Sequence, residues 1–131
     1  MAESINRKTI LVVEDDQRLR QLSSTWLRSA GYDVLTAENA PAALAHLAAS
    51  KIDLALLDID LSAELDGIDV LKHIRAEPAT AKLPVMILSG NTRFEEIQRG
   101  VDAGADHYMT KPYEMTEMLA NVRLILGPGA A

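Results

Sequence analysis

Two apolar runs in this chain end in acids. Ile10-Leu11-Val12-Val13 leads straight into Glu14-Asp15-Asp16, and Leu54-Ala55-Leu56-Leu57 leads into Asp58, with Asp60 two residues on. Carboxylates held close together repel one another and bind protons tightly unless a cation neutralises them, and an oxygen-only set without His or Cys suits Mg2+. Two further apolar runs end in groups that recognise phosphate oxygens: one reaches Ser89-Gly90, the other runs through Tyr108-Met109-Thr110 to Lys111-Pro112. A carboxylate nucleophile, a divalent cation and a fixed ammonium are what phosphoryl transfer requires, because that chemistry depends on positioning and charge neutralisation more than on acid-base groups. On this reading Asp58 is the nucleophile, Glu14 and Asp15 hold Mg2+, Lys111 neutralises phosphoryl oxygens, and Ser89 donates a hydrogen bond to one of them.

The elements that must position these groups follow from periodicity. Strands are predicted over Thr9 to Val13, Asp33 to Ala37, Leu54 to Asp58, Pro84 to Ser89 and Asp106 to Thr110, several apolar throughout, as strands covered on both faces must be. Helices are predicted over Gln17 to Ala30, Pro41 to Ala49, Ile68 to Arg75, Arg93 to Ala103 and Glu114 to Leu126, with Leu and Ala at three- and four-residue spacing. Five strand-helix units in alternation predict an α/β fold around a parallel sheet, and ligands of such sheets bind where loops leave the carboxyl ends of the strands. Local punctuation agrees: Gly31 and Gly104 stand where helices stop, Asn39 precedes Pro41 at a helix start, and Thr92 with Glu95 forms a capping-box pattern.

Most of these residues have a structural reading as well. Asp15 or Asp16 can cap the first helix, and Asp16 is assigned that role. Asp58 can end a strand in a turn, Ser89 before Gly90 can make one, and Lys111 can be a solvated surface charge. His46, His73 and His107 are isolated and fit surface or hydrogen-bonded roles better than metal ligation. Trp26, Met86, Met115 and Met118 read as packing residues.

The chain has 131 residues, 48% of them hydrophobic, which suits one compact domain. It contains no cysteine, so no disulfide or thiol chemistry is available, and a cytoplasmic setting is expected. No signal peptide or membrane-spanning run is legible at the start. A formal net charge of -6 argues against non-specific binding to a nucleic-acid backbone and is compatible with a hard cation. The division expected is an N-terminal extension over 1–8, one domain over 9–126 and a flexible tail over 127–131, with Gly127-Pro128-Gly129 unable to continue a helix.

In the order of these motifs the chain resembles the response-regulator receiver family, in its free-standing, chemotaxis-regulator form, from Ile10 to about Leu126. The resemblance implies a doubly wound five-stranded parallel sheet of order 2-1-3-4-5 with five helices, a flavodoxin-like sandwich. It implies that Glu14 and Asp15 are the acidic pair and Asp58 the phosphoacceptor. Asp58 and the backbone carbonyl of Asp60 would complete the Mg2+ coordination. Ser89 would be the hydroxyl that follows the phosphoryl group, Lys111 the lysine before proline, and Tyr108 the switch aromatic, although Tyr108 can also be an ordinary half-buried ring. Lys111-Pro112 is expected to be cis. The implied partners are a sensor histidine kinase or a histidine phosphotransfer protein docking near the first helix, and a target protein reading the fourth helix, fifth strand and fifth helix. Neither nucleic acid nor membrane is expected as a direct partner, and a monomer or weak phosphorylation-dependent dimer is. Such a protein is a signalling phosphoacceptor rather than an enzyme, although it assists its own phosphorylation and dephosphorylation.

The chain departs from the family's usual pattern between Asp58 and Gly67, where many receivers have proline at the Ser62 position and a loop one residue shorter; Asn91 is a further position of interest. Two other readings stay open. Asp58-Ile59-Asp60 with Ser89 and Lys111 also resembles haloacid-dehalogenase-type phosphatases, although the acidic pair lies on the wrong side of the motif for those enzymes. A pseudo-receiver, keeping the fold as an interaction module without phosphorylation, is the other. No output module is legible after Leu126, which points to a free-standing receiver or a piece of a larger regulator or kinase.

Overall fold

A computed structural model describes residues 7–59, 66–90 and 93–129. Strands β1 (Thr9–Val13), β2 (Asp33–Ala37), β3 (Leu54–Asp58), β4 (Val85–Ser89) and β5 (His107–Thr110) alternate with helices α1 (Gln17–Ser29), α2 (Ala40–Ala49), α3 (Gly67–Ala76), α4 (Phe94–Asp102) and α5 (Met115–Leu126). All strand pairs are parallel, in the order β2-β1-β3-β4-β5. The five-stranded flavodoxin-like sandwich expected from the sequence is the fold observed.

Successive residues of a strand face opposite sides, so each apolar run supplies two cores. Ile10, Val12, Leu54, Leu56, Met86 and Leu88 pack with Leu27 of α1 and Met118 and Val122 of α5. Leu11, Val13, Ala55, Leu57, Val85 and Ile87 pack with Ala40 and Ala43 of α2 and Val70, Leu71 and Ile74 of α3. This two-sided burial is why β3 and β4 read as continuous apolar stretches. Met86 and Met118 are buried and Trp26 packs on the first core, but Met115 is 43% exposed on α5 and is not the packing residue expected.

The edge strand β2 is guarded from both faces. Arg28 of α1 donates to the Val34 carbonyl (3.2 Å), and His46 of α2 places Nε2 2.9 Å from the Thr36 carbonyl, which gives that histidine a structural role.

Helix boundaries differ from expectation by at most one residue. Asn39 caps α2 by accepting from Ala42 N, and Gly31 and Gly104, with φ of 97° and 102°, stand just beyond α1 and α4. Of the capping-box pair expected at α4, Thr92 lies outside the described residues, and the N-cap position there is Arg93, without a side-chain cap. The capping box observed is instead at α3, where Asp66 accepts from Asp69 N and Asp69 accepts from Asp66 N. Strand β4 starts one residue after Pro84, which has no N–H to give the ladder, although its carbonyl accepts from Ala55 N.

Candidate functional site

Strand order reverses between β1 and β3, and the crevice at their carboxyl ends is where a sheet of this type binds ligands. Val13 is in register with Leu57, so Glu14 and Asp58, one residue further along each strand, emerge side by side. Asp58 is in turn level with Leu88, and Ser89 with Thr110, which sets Ser89 and Lys111 beside the acids on the same edge. Glu14, Asp58 and Ser89 are at most 1% exposed.

Two ion pairs organise the pocket. Lys111 Nζ lies 2.7 Å from Glu14 Oε1 and 3.0 Å from Asp58 Oδ2, and donates a hydrogen bond to the latter. Its backbone amide donates to the Ser89 carbonyl (2.8 Å), and the Lys111-Pro112 peptide is cis, as expected. Burial lowers the proton affinity of the Lys111 amine, but its bonds to Glu14 and Asp58 outweigh that and raise its pKa above the ordinary value. For Glu14, burial and then the neighbouring Asp58 push the carboxyl up to about 8, against the partial relief that Lys111 provides.

The arrangement can hold a divalent cation. One oxygen from each of Glu14, Asp15 and Asp58 lies within 4.8 Å of the others, the only group of this kind among the described residues. Glu14 Oε2 accepts from Asp16 N (3.2 Å), and Oε1 is paired with the Lys111 ammonium at 2.7 Å. Three carboxylates gathered this closely, with one lysine to neutralise them, fit a hard cation with oxygen ligands. Asp16 caps α1 by accepting from Leu19 N, as assigned from sequence. The Asp60 carbonyl, Ser62 and Asn91 lie outside the described residues.

Several residues that the sequence did not single out shape the site. Arg20, one turn into α1, sends Nη1 back to the carbonyls of Glu14 (2.8 Å) and Asp15 (3.4 Å), tying down the acidic turn. Gly67 opens α3 against Asp58 itself: a Cβ there would overlap the Asp58 carbonyl. Tyr113, two residues beyond Lys111, has its hydroxyl 3.3 Å from Ser23 Oγ of α1. No sequence pattern reveals these three: Arg20 folds back onto the turn before its helix, Gly67 meets the end of the preceding strand, and Tyr113 pairs with Ser23 across 90 positions. Tyr108 is half-buried, with its ring beside Gly100 of α4.

Fold and acidic edge together define a receiver-type architecture. The family model for the response regulator receiver domain matches residues 10–123. The chain is 38% identical over 117 residues to the DNA-binding dual master transcriptional regulator RpaA of Synechocystis, covering 89% of this chain and 48% of that protein. It is 40% identical over 121 residues to the alkaline phosphatase synthesis transcriptional regulatory protein PhoP of Bacillus subtilis, covering 91% and 48%. Among solved structures, the chemotaxis protein CheY4 of Vibrio cholerae superposes with a TM-score of 0.87 at 28% identity, covering 92% of this chain and 99% of that one. A putative response regulator from Chloroflexus aurantiacus gives 0.86 at 31% identity, covering 92% and 98%.

The chain therefore belongs to the response regulator receiver family of two-component signalling. It spans about half the length of the curated relatives it matches. Those relatives are transcriptional regulators, one of them DNA-binding, so the expectation that nucleic acid is not a partner has no support; the charge of -6 describes these 131 residues alone. Among the described residues, no helix is long and apolar enough to cross a membrane.

Proposed function

We propose that this receiver accepts a phosphoryl group on Asp58 from a phosphohistidine of a sensor kinase or phosphotransfer protein. The observation that carries the reading is Lys111 bridging Glu14 and Asp58 at the reversal of strand order, with Asp15 close enough to share a cation with both. The Asp58 carboxylate forms the new O–P bond as the N–P bond of the donor breaks, and the donor imidazole keeps the electron pair. Lys111 supplies positive charge to the phosphoryl oxygens and the Ser89 hydroxyl donates to one of them. Glu14, Asp15 and Asp58, with the Asp60 carbonyl as fourth ligand, would hold Mg2+, whose charge offsets repulsion between the acids and the incoming phosphoryl group. The product is an aspartyl phosphate, and its return to aspartate by water makes the chain a timed signal rather than a turnover enzyme.

Signalling then follows from the neighbours of the new charge. A phosphoryl group that draws Ser89 inward vacates space for the Tyr108 ring, which sits at the α4–β5 boundary beside Gly100. The helices α4 and α5 that flank β5 in sequence carry exposed apolar side chains, Phe94 at 74% and Leu124 at 83% exposed, of the kind a target protein covers.

Intact-mass analysis after incubation with acetyl phosphate and Mg2+ tests the proposal. One phosphoryl adduct is expected, absent from Asp58→Asn and from a metal-free control. A protein that stays unmodified under excess donor would be a pseudo-receiver, and rapid turnover of many phosphate esters would point to a phosphatase.

A further inference from the structure

Helix α1 reaches the site by two separate contacts. Arg20 holds the carbonyls of the acidic turn, on the cation side. Ser23, one turn further along, meets Tyr113 on the lysine side, its Oγ 3.3 Å from the Tyr113 Oη across 90 positions of sequence. Both residues are buried, Ser23 at 0% and Tyr113 at 8% exposure, and Tyr113 packs within the apolar core that α1 and α5 share.

A hydroxyl pair in such a place is a poor source of stability. Two apolar side chains of similar shape would fill the space without desolvating two oxygens, and a neutral hydrogen bond returns little more than that desolvation costs. What a satisfied buried polar contact does supply is a single geometry. Tyr113 is joined to Lys111 through Pro112 alone. The Lys111 amide is fixed on its other side by the Ser89 carbonyl at 2.8 Å. The lysine backbone is thus anchored to β4 at one point and, two residues later, to α1.

Resting on the phosphoacceptor reading above, we propose that the Ser23–Tyr113 hydroxyl pair is a positioning device for Lys111, through which α1 sets where the ammonium stands over Asp58. Neither residue touches the reacting atoms. Burial holds the Tyr113 phenol above the ordinary tyrosine value, so it remains a neutral partner for Ser23. The division of labour along α1 separates two quantities: Arg20 governs how well the acids bind the cation, and Ser23 with Tyr113 governs how fast the phosphoryl group transfers once the cation is bound.

The test uses the full chain with acetyl phosphate as donor, following the Asp58 adduct by intact mass while Mg2+ is titrated, and thermal melts on the same samples. Tyr113→Phe and the double variant Ser23→Ala/Tyr113→Phe are expected to lower the limiting rate about three- to tenfold, the factor to which one net hydrogen bond converts, with the half-saturating Mg2+ concentration unchanged. Arg20→Met should instead raise the half-saturating Mg2+ concentration. The double variant leaves no hydroxyl without a partner, so it should regain the melting temperature that Tyr113→Phe loses while its rate stays low. Recovery of rate together with stability would overturn the proposal by making the pair merely structural, as would wild-type rates in both variants or a change confined to Mg2+ dependence. A wild-type chain that takes up no phosphoryl group would overturn the phosphoacceptor reading and this inference with it.

Discussion

Lys111 stands 2.7 Å from Glu14 Oε1, closer than to the proposed phosphoacceptor, so in the absence of a cation the lysine is as much a partner of the acidic pair as of Asp58. A buried carboxylate that loses a cationic partner is costly. Lys111→Ala is therefore expected to lower metal-free stability by about 1–3 kcal/mol, the partial solvent access of the lysine keeping the loss below that of a fully buried pair. Mg2+ should restore a larger share of stability in the variant than it adds to wild type. Denaturant unfolding with EDTA and with Mg2+ checks this, and a variant as stable as wild type in EDTA would sink it.

The raised pKa of Glu14 predicts a pH dependence. Its folded value of about 8 lies above the ordinary 4.5, so the folded metal-free state binds a proton more tightly than the unfolded chain does. That contribution to stability is fully present below pH 4.5 and is lost as pH rises towards 8. Unfolding free energy in EDTA should fall across that window in wild type and stay flatter in Glu14→Gln. Mg2+ must displace the same proton, so calorimetry in buffers of different ionisation enthalpy should detect proton release below pH 8.

Gly67 is expected to tolerate no side chain. Its Cα sits where a Cβ would collide with the backbone of Asp58 and Ile59, and backbone cannot rotate away as a flexible side chain can. Gly67→Ala should cost about 1–3 kcal/mol and displace Asp58, slowing phosphorylation beyond what the stability loss explains. An alanine variant with wild-type melting and adduct formation would show that α3 shifts freely.

Arg75 is a staple at the opposite end of the sheet. Its guanidinium donates to the carbonyls of Gly104 (2.8 Å) and Leu83 (2.7 Å) and to Asp106 Oδ2 (2.9 Å), while Asp106 also accepts from Val85 N. Arg75→Ala should lower stability by about 2–3 kcal/mol through lost charge-assisted bonds to the strand entries. The phosphorylation rate of the folded protein should hold, because no donor of Arg75 reaches the acidic edge. Urea unfolding and adduct kinetics on the same variant separate the two.

What the sequence determined by itself is the sheet and the carboxyl edge. An apolar run followed at once by charge, as in Val13-Glu14 or Leu57-Asp58, encodes both that a strand is buried on two faces and where it must stop, because an ionisable group cannot continue into that core. Two strand ends of this kind, with the polar ends of β4 and β5, place Glu14, Asp58, Ser89 and Lys111 on one edge as soon as the strands are parallel. Tertiary structure alone decided what holds those groups still. Arg20 was one arginine among the polar positions of α1, Gly67 an ordinary glycine after a loop, Arg75 the end of a helix, and Ser23 and Tyr113 were 90 positions apart. Their roles depend on which surfaces meet once the helices close over both faces of the sheet, and periodicity records only that a face is buried, not which oxygen or nitrogen waits on the other side.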